Sequence, residues 1–457
     1  MSKPASVELA DFVLGSSYSG IPEEVVRNVK FHVINVVGLC LASGELEAGR
    51  VVAKVAAQMG GEKEATIVGR GGLFPAPNAA LANGTMAHVL DYDDTHDESF
   101  IHVGPPVVPA ALAMGQREKV DGKELLTAIA IGMETAIRVG LASPGQLTKV
   151  GFHPTSVCGV FGATAAAGKI LRLSRDRMAN AFGIAGSQAS GLYEFFSDGS
   201  WVKQFHPGWA AHSGVIAALL AEGGMTGPKT VLEGRFGVYR THLGGAAFST
   251  RRVLKNLGGT WELSKTAFKP WPCGVVLHPF LRCAEMILSE NRIDPRDVEE
   301  VACLVPAGMV PLVLEPLDQK VTPKTPYDGK FSLPFAISAM VVDGKVDTAT
   351  FSDAKIKDRS ILRLAKRVRY ESDSKADYPR TIPARVSVKL RNGKEFVAHT
   401  ETNPGGPEAP MTREEHFAKF MSNASPRLGE QKARRLLLEL DDLENADSIG
   451  RIMRLCG

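Results

Sequence analysis

Apolar residues recur at helical spacing through most of the first 260 residues, and strand-like alternation is nearly absent there. Residues 21–42 open with Pro22 and two glutamates and continue as a long apolar helical pattern. Residues 122–142 follow the same pattern, with Glu134 and Arg138 spaced so that they face each other on one helix. These patterns predict that the first part of the chain is all-helical.

A different pattern begins after Trp261. Residues 298–306 are typical of a β-strand. Residues 384–390 and 395–401 alternate with period two on either side of Asn392-Gly393, which is a strong signal for a hairpin turn. Together with apolar helical stretches between them, these segments predict a compact α+β unit.

Helical spacing returns after Pro410, where Thr412 and Glu415 have the spacing of a capping box. A helical tail that follows an α+β segment is expected to pack back on the first helical part. The sequence therefore predicts a mainly α fold with an α+β insertion.

Composition and charge limit the classes of function. The 457 residues suggest about two domains, and 53 basic against 50 acidic residues give a net charge of +3, too weak a field to favour nucleic acid or an anionic membrane. The six cysteines are scattered singly, which is typical of reduced thiols. The N-terminus lacks a secretion signal, and charged residues interrupt every long apolar run. We expect a soluble, cytoplasmic protein with no nucleic-acid or membrane partner.

The stretch from His88 to Pro109 is the strongest candidate for a functional site. Three histidines and five carboxylates occur within fifteen residues, between Ala-rich segments of no comparable polarity. A solvated acidic turn would explain the carboxylates but not the interleaved histidines. These eight residues are His88, Asp91, Asp93, Asp94, His96, Asp97, Glu98 and His102.

Four residues along the chain have Gly or Pro within about four positions and are therefore expected on loops or at helix starts, where catalytic groups are common. They are His102, His153, Lys203 and Lys269. Lysines can neutralise the carboxylates of a di- or tricarboxylate, and a histidine can move a proton near neutral pH. Cations around a carboxylate also stabilise the extra negative charge that forms when the neighbouring carbon loses a proton. The residues thus predict lyase or epimerase chemistry on a polycarboxylate. Either lysine taken singly is also consistent with a solvated surface residue.

Other classes of function remain open at this point. The acidic string from Asp91 to Asp97 could bind a cation and serve a metal-dependent hydrolase, although it lacks the alternation and glycine of a calcium loop. The glycines at 159, 162 and 168 do not form a dinucleotide fingerprint and instead indicate closely crossing helices. A helical scaffold without activity would leave the clustered histidines without a function. We expect neither a metal nor a cofactor.

Several motifs, in their order along the chain, closely resemble the MmgE/PrpD family. They are HVLDYDDTH, GFHPTSVCGVFGATAAAGKIL, GIAGSQASGL, DGSWVKQFHPGWAAHSGVIAALLA, GPKTVLEGRFGVY and KPWPCGVVLHP. The resemblance implies a large all-helical domain formed by both chain ends, an inserted α+β lid domain and a homodimer without cofactor or metal. It places the helical domain at 1–267 and 401–457 and the lid domain at 268–400.

The resemblance also implies which residues form the active site. It assigns catalysis to Asp91, His102, His153 and Lys203 and substrate binding to Thr95, Lys269 and His278. In one departure, Phe335 stands where the family often has tyrosine, so any function of that hydroxyl is missing here.

The predicted activity is that of a 2-methylcitrate dehydratase-like hydro-lyase, which abstracts a proton alpha to a carboxylate. Lys203 and Lys269 would hold substrate carboxylates, and His102 or His153 would be the general base or acid. A cis-aconitate-type decarboxylase and an iminodisuccinate-type epimerase are the alternatives within the same pocket.

Overall fold

The computed structural model describes residues 3–378 and 381–457. The chain divides into two compact units, of which the first comprises Met1–Thr266 with Thr412–Gly457 and the second Ala267–Met411. The prediction of a mainly α protein is confirmed. The predicted lid arrangement stays a prediction.

The first unit is helical over its described residues, and most residues of 104–118, 122–140 and 154–170 are buried. Its N-terminal helices are α1 Ala5–Gly15, α2 Glu23–Ser43, α3 Glu47–Gln58, α4 Ala76–His88, α5 Gly104–Glu118, α6 Gly122–Gly140, α7 Gln146–Lys149, α8 Pro154–Ile170, α9 Arg175–Gly186, α10 Val202–Glu222, α11 Val238–His242 and α12 Thr250–Leu254.

Four helices form the centre of this unit. Helix α8 packs against α6 and α10, and α10 packs in turn against α4. Small residues allow the close approach: a β-carbon added at Gly162 of α8 would lie 2.6 Å from the carbonyl oxygen of Gly132 in α6. The glycines of α8 therefore serve helix crossing, as the sequence predicted.

Helix α2 is long and apolar enough to span a membrane by length and composition alone. Packing inside the unit, however, buries 78% of its most apolar window, as in a core helix. The prediction of a long, mostly buried helix at this position is confirmed.

The second unit combines helices with a four-stranded sheet. Its helices are α13 His278–Glu290, α14 Val310–Val313, α15 Leu317–Val321, α16 Pro326–Lys330, α17 Leu333–Asp343 and α18 Arg359–Ala365, and its strands are β1 Val298–Pro306, β2 Val368–Asp373, β3 Ala384–Leu390 and β4 Glu395–Thr400. The strand order is β2-β1-β3-β4, with β1 and β2 parallel and the other pairs antiparallel. Helix α13 packs on β3 and β4 and against α17.

The predicted hairpin joins β3 to β4. The N–H of Leu390 donates to the carbonyl of Lys394 at 2.8 Å, and Gly393 takes φ 87°, a conformation that favours glycine. The alternation of buried and exposed residues along β3 matches the predicted period of two.

The segment 401–411 is part of the second unit. The N–H of Phe268 donates to the carbonyl of Gly405 at 2.9 Å, which ties this segment to the start of the same unit. The expected domain boundary lay at 400/401. After this segment the chain returns to the first unit with α19 Arg413–Leu428, α20 Glu430–Asp441 and α21 Ile449–Met453, and α19 packs against α2.

Candidate active site

The end of α4 places the first histidine of the site. This Ala-rich helix is buried over most of its length and ends at His88. The chain then turns at Asp91, whose φ of 52° lies in the left-handed region, and whose N–H donates to the carbonyl of His88 at 3.1 Å. Aspartate tolerates this conformation better than most residues. The turn releases the acidic segment from the helix.

Asp93 joins two histidines of the predicted stretch. Its Oδ2 lies 2.8 Å from Nδ1 of His88 and 3.3 Å from Nδ1 of His102. The side chains of His88 and Asp93 are fully buried, and a buried carboxylate is stable only when paired or hydrogen-bonded. Asp93 therefore orients both rings through the same ring nitrogen.

The protonation of one nitrogen of His102 follows from its neighbours. Nδ1 of His102 lies 2.7 Å from the backbone carbonyl of Asp94. Because a carbonyl oxygen only accepts hydrogen bonds, Nδ1 carries a hydrogen. Thr95 Oγ1 lies 3.3 Å from the same nitrogen. Nε2 is the other ring nitrogen of this side chain, which is 15% exposed.

Asp94 fixes the start of α5, directly after His102. Its carboxylate accepts from the N–H groups of Val103 at 2.8 Å and Gly104 at 2.9 Å, and contacts His32 Nδ1 at 2.7 Å. These contacts satisfy backbone donors that a helix start leaves open. A β-carbon at Gly104 would collide with this carboxylate, so a glycine is required there. Asp94 thus has a structural function, and His32 is a buried histidine of the core.

His153 comes from a second stretch of the chain and precedes α8. Its Nδ1 lies 3.1 Å from Nδ1 of His206 in α10. Burial lowers the pKa of His153 well below its usual 6.5, and positive charge on His88 and Lys203 lowers it further. Burial likewise lowers the pKa of His206 to about 4. Both rings are neutral at neutral pH, so one Nδ1–H donates to the other Nδ1.

Three histidine rings meet in one cluster. The centroids of His88 and His102 are 4.8 Å apart, those of His88 and His153 are 5.8 Å apart, and those of His102 and His153 are 6.2 Å apart. The ring centroid of Tyr193 lies 5.3 Å from that of His153. Residues that are distant in sequence therefore form one buried group, which we call the histidine cluster (His88, His102 and His153).

Lys203 lies in the first turn of α10 and forms an ion pair with Asp91, with Nζ 3.3 Å from Oδ1. The side chains are 14% and 7% exposed, which excludes the alternative of a solvated surface lysine. Proline is common at the first position of a helix, so the sequence predicts a helix start near Pro207. In the structure, α10 begins at Val202 and continues through this proline. Packing of α10 on α4 and α8 compensates for the backbone hydrogen bond that proline removes.

Lys269 and His278 belong to the second unit, where both are buried. His278 is the first residue of α13, and its ring stands at 86° to that of Trp271 with centroids 5.5 Å apart. Phe335 is fully buried in the core of this unit, 6.1 Å from Phe351 between ring centroids. The predicted substrate contacts of Lys269 and His278 stay a prediction.

Three residues at the site, His88, Asp93 and His206, received no individual function from the sequence. His88 and Asp93 belonged to the recognised acidic stretch, but nothing in their spacing showed which acid meets which histidine. His206 follows Lys203 by three positions and so shares its helix face, a signal that the misplaced helix start concealed. His96 lies outside the cluster, with Nδ1 2.8 Å from Ser99 Oγ.

Side chains of the site could also bind a divalent ion. Ring nitrogens of the histidine cluster lie within 4.8 Å of one another, as do atoms of His88, Asp91, Asp93 and His102. Imidazole nitrogens and carboxylate oxygens are common zinc ligands. The acidic string from Asp91 to Asp97 does not act as one ligand set, because the Asp94 carboxylate contacts His32 and the first N–H groups of α5. A metal-dependent hydrolase thus remains the alternative that an experiment must exclude.

Comparison with known proteins assigns the class. Residues 7–251 match the MmgE/PrpD N-terminal domain and residues 271–445 match the MmgE/PrpD C-terminal domain. The chain belongs to the MmgE/PrpD family. This confirms the predicted resemblance and, with it, the prediction of a lyase-type enzyme of this family.

Curated relatives align over nearly the whole chain. Cis-aconitate decarboxylase of Mus musculus is 25% identical over 475 residues, which cover 99% of this chain and 94% of the relative. The Homo sapiens protein of the same name is also 25% identical, with 99% and 95% covered. Cis-aconitate decarboxylase of Aspergillus terreus is 24% identical, with 96% and 93% covered.

Proposed function

We propose that the protein is a lyase that acts on a small polycarboxylate of the citrate or aconitate type with its own side chains as catalysts. One observation carries the proposal: His102, His153 and Lys203, from three separate stretches, lie in one largely buried group, in which Asp93 holds His102 and Asp91 holds Lys203.

Lys203 is proposed to bind a substrate carboxylate. Its ammonium group is largely buried, and the ion pair with Asp91 holds it in place. A lyase or epimerase on such a substrate passes through an intermediate with additional negative charge on a carboxylate. A fixed cation in a water-poor site stabilises that charge more strongly than water does.

His102 is proposed to transfer the proton. Its Nδ1 is held by the carbonyl of Asp94 and the carboxylate of Asp93, and Nε2 is proposed to face the substrate. His153 is neutral at neutral pH because burial lowers its pKa, so it cannot supply the first proton. His153 then serves as an uncharged hydrogen-bonding partner. Thr95, at 3.3 Å from Nδ1 of His102, is proposed to orient this ring.

Decarboxylation of cis-aconitate is the first reaction to test, because the curated relatives described above are named cis-aconitate decarboxylases. In that reaction the bond to the leaving carboxylate breaks, carbon dioxide departs, and the electron pair stays on the substrate. The protonated Nε2 of His102 then delivers a proton to the carbon. Dehydration, which was the first expectation from the sequence, and epimerisation use the same groups and remain alternatives.

The substrate panel comprises cis-aconitate, citrate, 2-methylcitrate and iminodisuccinate, each incubated with purified protein in deuterated water and followed by proton NMR. We expect turnover of at least one compound. Carbon dioxide release indicates decarboxylation, a new alkene indicates dehydration, and deuterium exchange without loss indicates epimerisation. No turnover and no exchange with all four would contradict the proposal.

A chelation experiment separates this proposal from the metal-dependent hydrolase. After exhaustive dialysis against a strong chelator, we expect the rate on the best substrate to be unchanged. A rate that falls and returns when a divalent ion is added would support the metal alternative and contradict the proposed mechanism.

A further inference from the structure

We infer that Lys419, in the C-terminal helix α19, is a positioning residue of the active site, whose side chain fixes the backbone of the turn that carries Asp91 and Asp93. The inference rests on the proposed function, since this turn orients His102 for proton transfer. Neither the sequence motifs nor the family resemblance included Lys419.

Lys419 contacts the turn in two ways. Its Nζ donates to the backbone carbonyl of Tyr92 at 2.7 Å, and the same nitrogen lies 3.7 Å from the centroid of the Tyr92 ring. Both residues are buried. A hydrogen bond from an ammonium group is stronger than one between neutral groups, and the face of an aromatic ring attracts a cation. The two contacts therefore fix the backbone and the side chain of Tyr92 together.

The carbonyl of Tyr92 is linked rigidly to the next residue. Because the peptide bond is planar, the Tyr92 carbonyl and the N–H of Asp93 belong to one rigid group. Fixing the oxygen therefore also fixes the direction in which the chain enters Asp93. The Asp93 carboxylate lies 3.3 Å from Nδ1 of His102. A displacement at Tyr92 would consequently be passed on to the ring that is proposed to transfer the proton.

The backbone of this turn needs support from its surroundings. Asp91 has φ 52°, in the left-handed region, which is higher in energy for residues other than glycine. Such a conformation persists where surrounding contacts hold it. Lys203 pairs with the side chain of Asp91 at 3.3 Å, and Lys419 holds the following residue. Two lysines from distant parts of the chain thus fix the turn.

The helix that carries Lys419 is itself held in place. Helix α19 packs against α2, and His416, three residues before Lys419 and on the same face, stacks on Phe31 with ring centroids 4.1 Å apart. The next residue of α2, His32, contacts the Asp94 carboxylate at 2.7 Å. Residues of α19 and α2 therefore support neighbouring positions of the turn.

Two substitutions separate positioning from a general contribution to stability. In Lys419→Met an unbranched apolar side chain fills the same space, but the donor to Tyr92 is lost. Lys169→Met is the matched control, because Lys169 also donates to backbone carbonyls of the first unit. Those are the carbonyls of Val13 at 2.9 Å and Ser16 at 2.7 Å, at the end of α1 and outside the turn.

Steady-state kinetics on the best polycarboxylate are measured for each full-length variant below its melting temperature. We expect Lys419→Met to lower kcat about 10- to 100-fold and to leave KM within about threefold, because a misplaced proton-transfer group slows the chemical step more than binding. Lys169→Met should keep both constants within about twofold of wild type, even where its melting temperature falls.

A double variant tests whether Lys419 acts through His102. In the His102→Gln background no imidazole remains to be oriented, so adding Lys419→Met should lower the residual kcat by less than about threefold. A purely structural residue would instead have the same effect in both backgrounds.

An unchanged kcat in folded Lys419→Met would overturn the inference, as would an equal loss in Lys169→Met or the full loss on top of His102→Gln. If Lys419→Met does not fold, Lys419→Gln takes its place with the same expectations, because its amide donor is one bond closer to the backbone than Nζ. A wild-type protein that turns over no polycarboxylate would instead refute the proposed function, and the inference with it.

Discussion

At the scale of single residues, the acidic run after α4 separates into different functions. Asp91 pairs with Lys203, Asp93 with two histidines, and Asp94 with the start of α5. The sequence indicated a site here. It could not show these pairings, because the left-handed turn at Asp91 sends adjacent side chains in different directions.

The buried histidines outside the cluster predict a loss of stability in acid. Burial lowers the pKa of His416 to about 3, and its ring stacks on Phe31 with centroids 4.1 Å apart. In the unfolded chain this histidine binds a proton below a pH of about 6.5, whereas the folded protein does not. The contribution of His416 is therefore fully present above that pH and falls by about 1.4 kcal/mol per unit as the pH drops towards 3.

His416→Phe tests this, because phenylalanine keeps the aromatic ring and cannot be protonated. Urea unfolding at pH 8, where the histidine is neutral in both states, gives the change in packing alone. Between pH 6 and pH 4, the free energy of unfolding should fall less steeply in the variant than in wild type. Parallel curves would contradict the assigned pKa of His416.

At the scale of elements, the sequence predicted local structure well where the residues of a motif contact one another. Thr412 and Glu415 form the expected capping box, and Asn392-Gly393 forms the expected hairpin. The predicted start of α10 near Pro207 was wrong, because helix packing overrides the local preference of proline for a first helical position. A sequence pattern carries information about one element at a time, whereas the bounds of α10 depend on its packing against α4 and α8.

The close crossing of α6 and α8 predicts that a larger residue at Gly162 destabilises the protein. In Gly162→Ala the added methyl would lie 2.6 Å from the carbonyl oxygen of Gly132 and 2.7 Å from the β-carbon of Ala136. We expect a loss of about 1–3 kcal/mol in the free energy of unfolding, because neither helix can move without disturbing its neighbours.

Gly15→Ala is the control for this substitution. Gly15 ends α1, and an added β-carbon there meets no described atom within 4 Å. This variant should be as stable as wild type or about 0.5–1 kcal/mol more stable, since alanine loses less backbone freedom on folding. Equal effects of the two substitutions in urea unfolding would show that the crossing does not require glycine.

At the scale of the whole molecule, composition and periodicity sufficed for the mainly α class and for the presence of an α+β segment. The strand order β2-β1-β3-β4 was not predictable, because it depends on contacts between residues far apart in sequence. The convergence of His88, His102 and His153 was not predictable from the sequence pattern for the same reason. The family resemblance implied that His102 and His153 share a site, but it did not include His88. The homodimer, the cytoplasmic location and the domain ranges remain predictions.

The reaction of cis-aconitate in deuterated water, compared between wild type and His102→Gln, tests the central claim most directly. The account predicts that wild type releases carbon dioxide and places one solvent deuteron on the product. It also predicts that His102→Gln, with an unchanged melting temperature, is at least about 100-fold slower, since the general acid is lost. A His102→Gln variant that reacts at the wild-type rate would contradict the account, as would a wild-type protein that neither consumes cis-aconitate nor exchanges deuterium with any polycarboxylate of the panel.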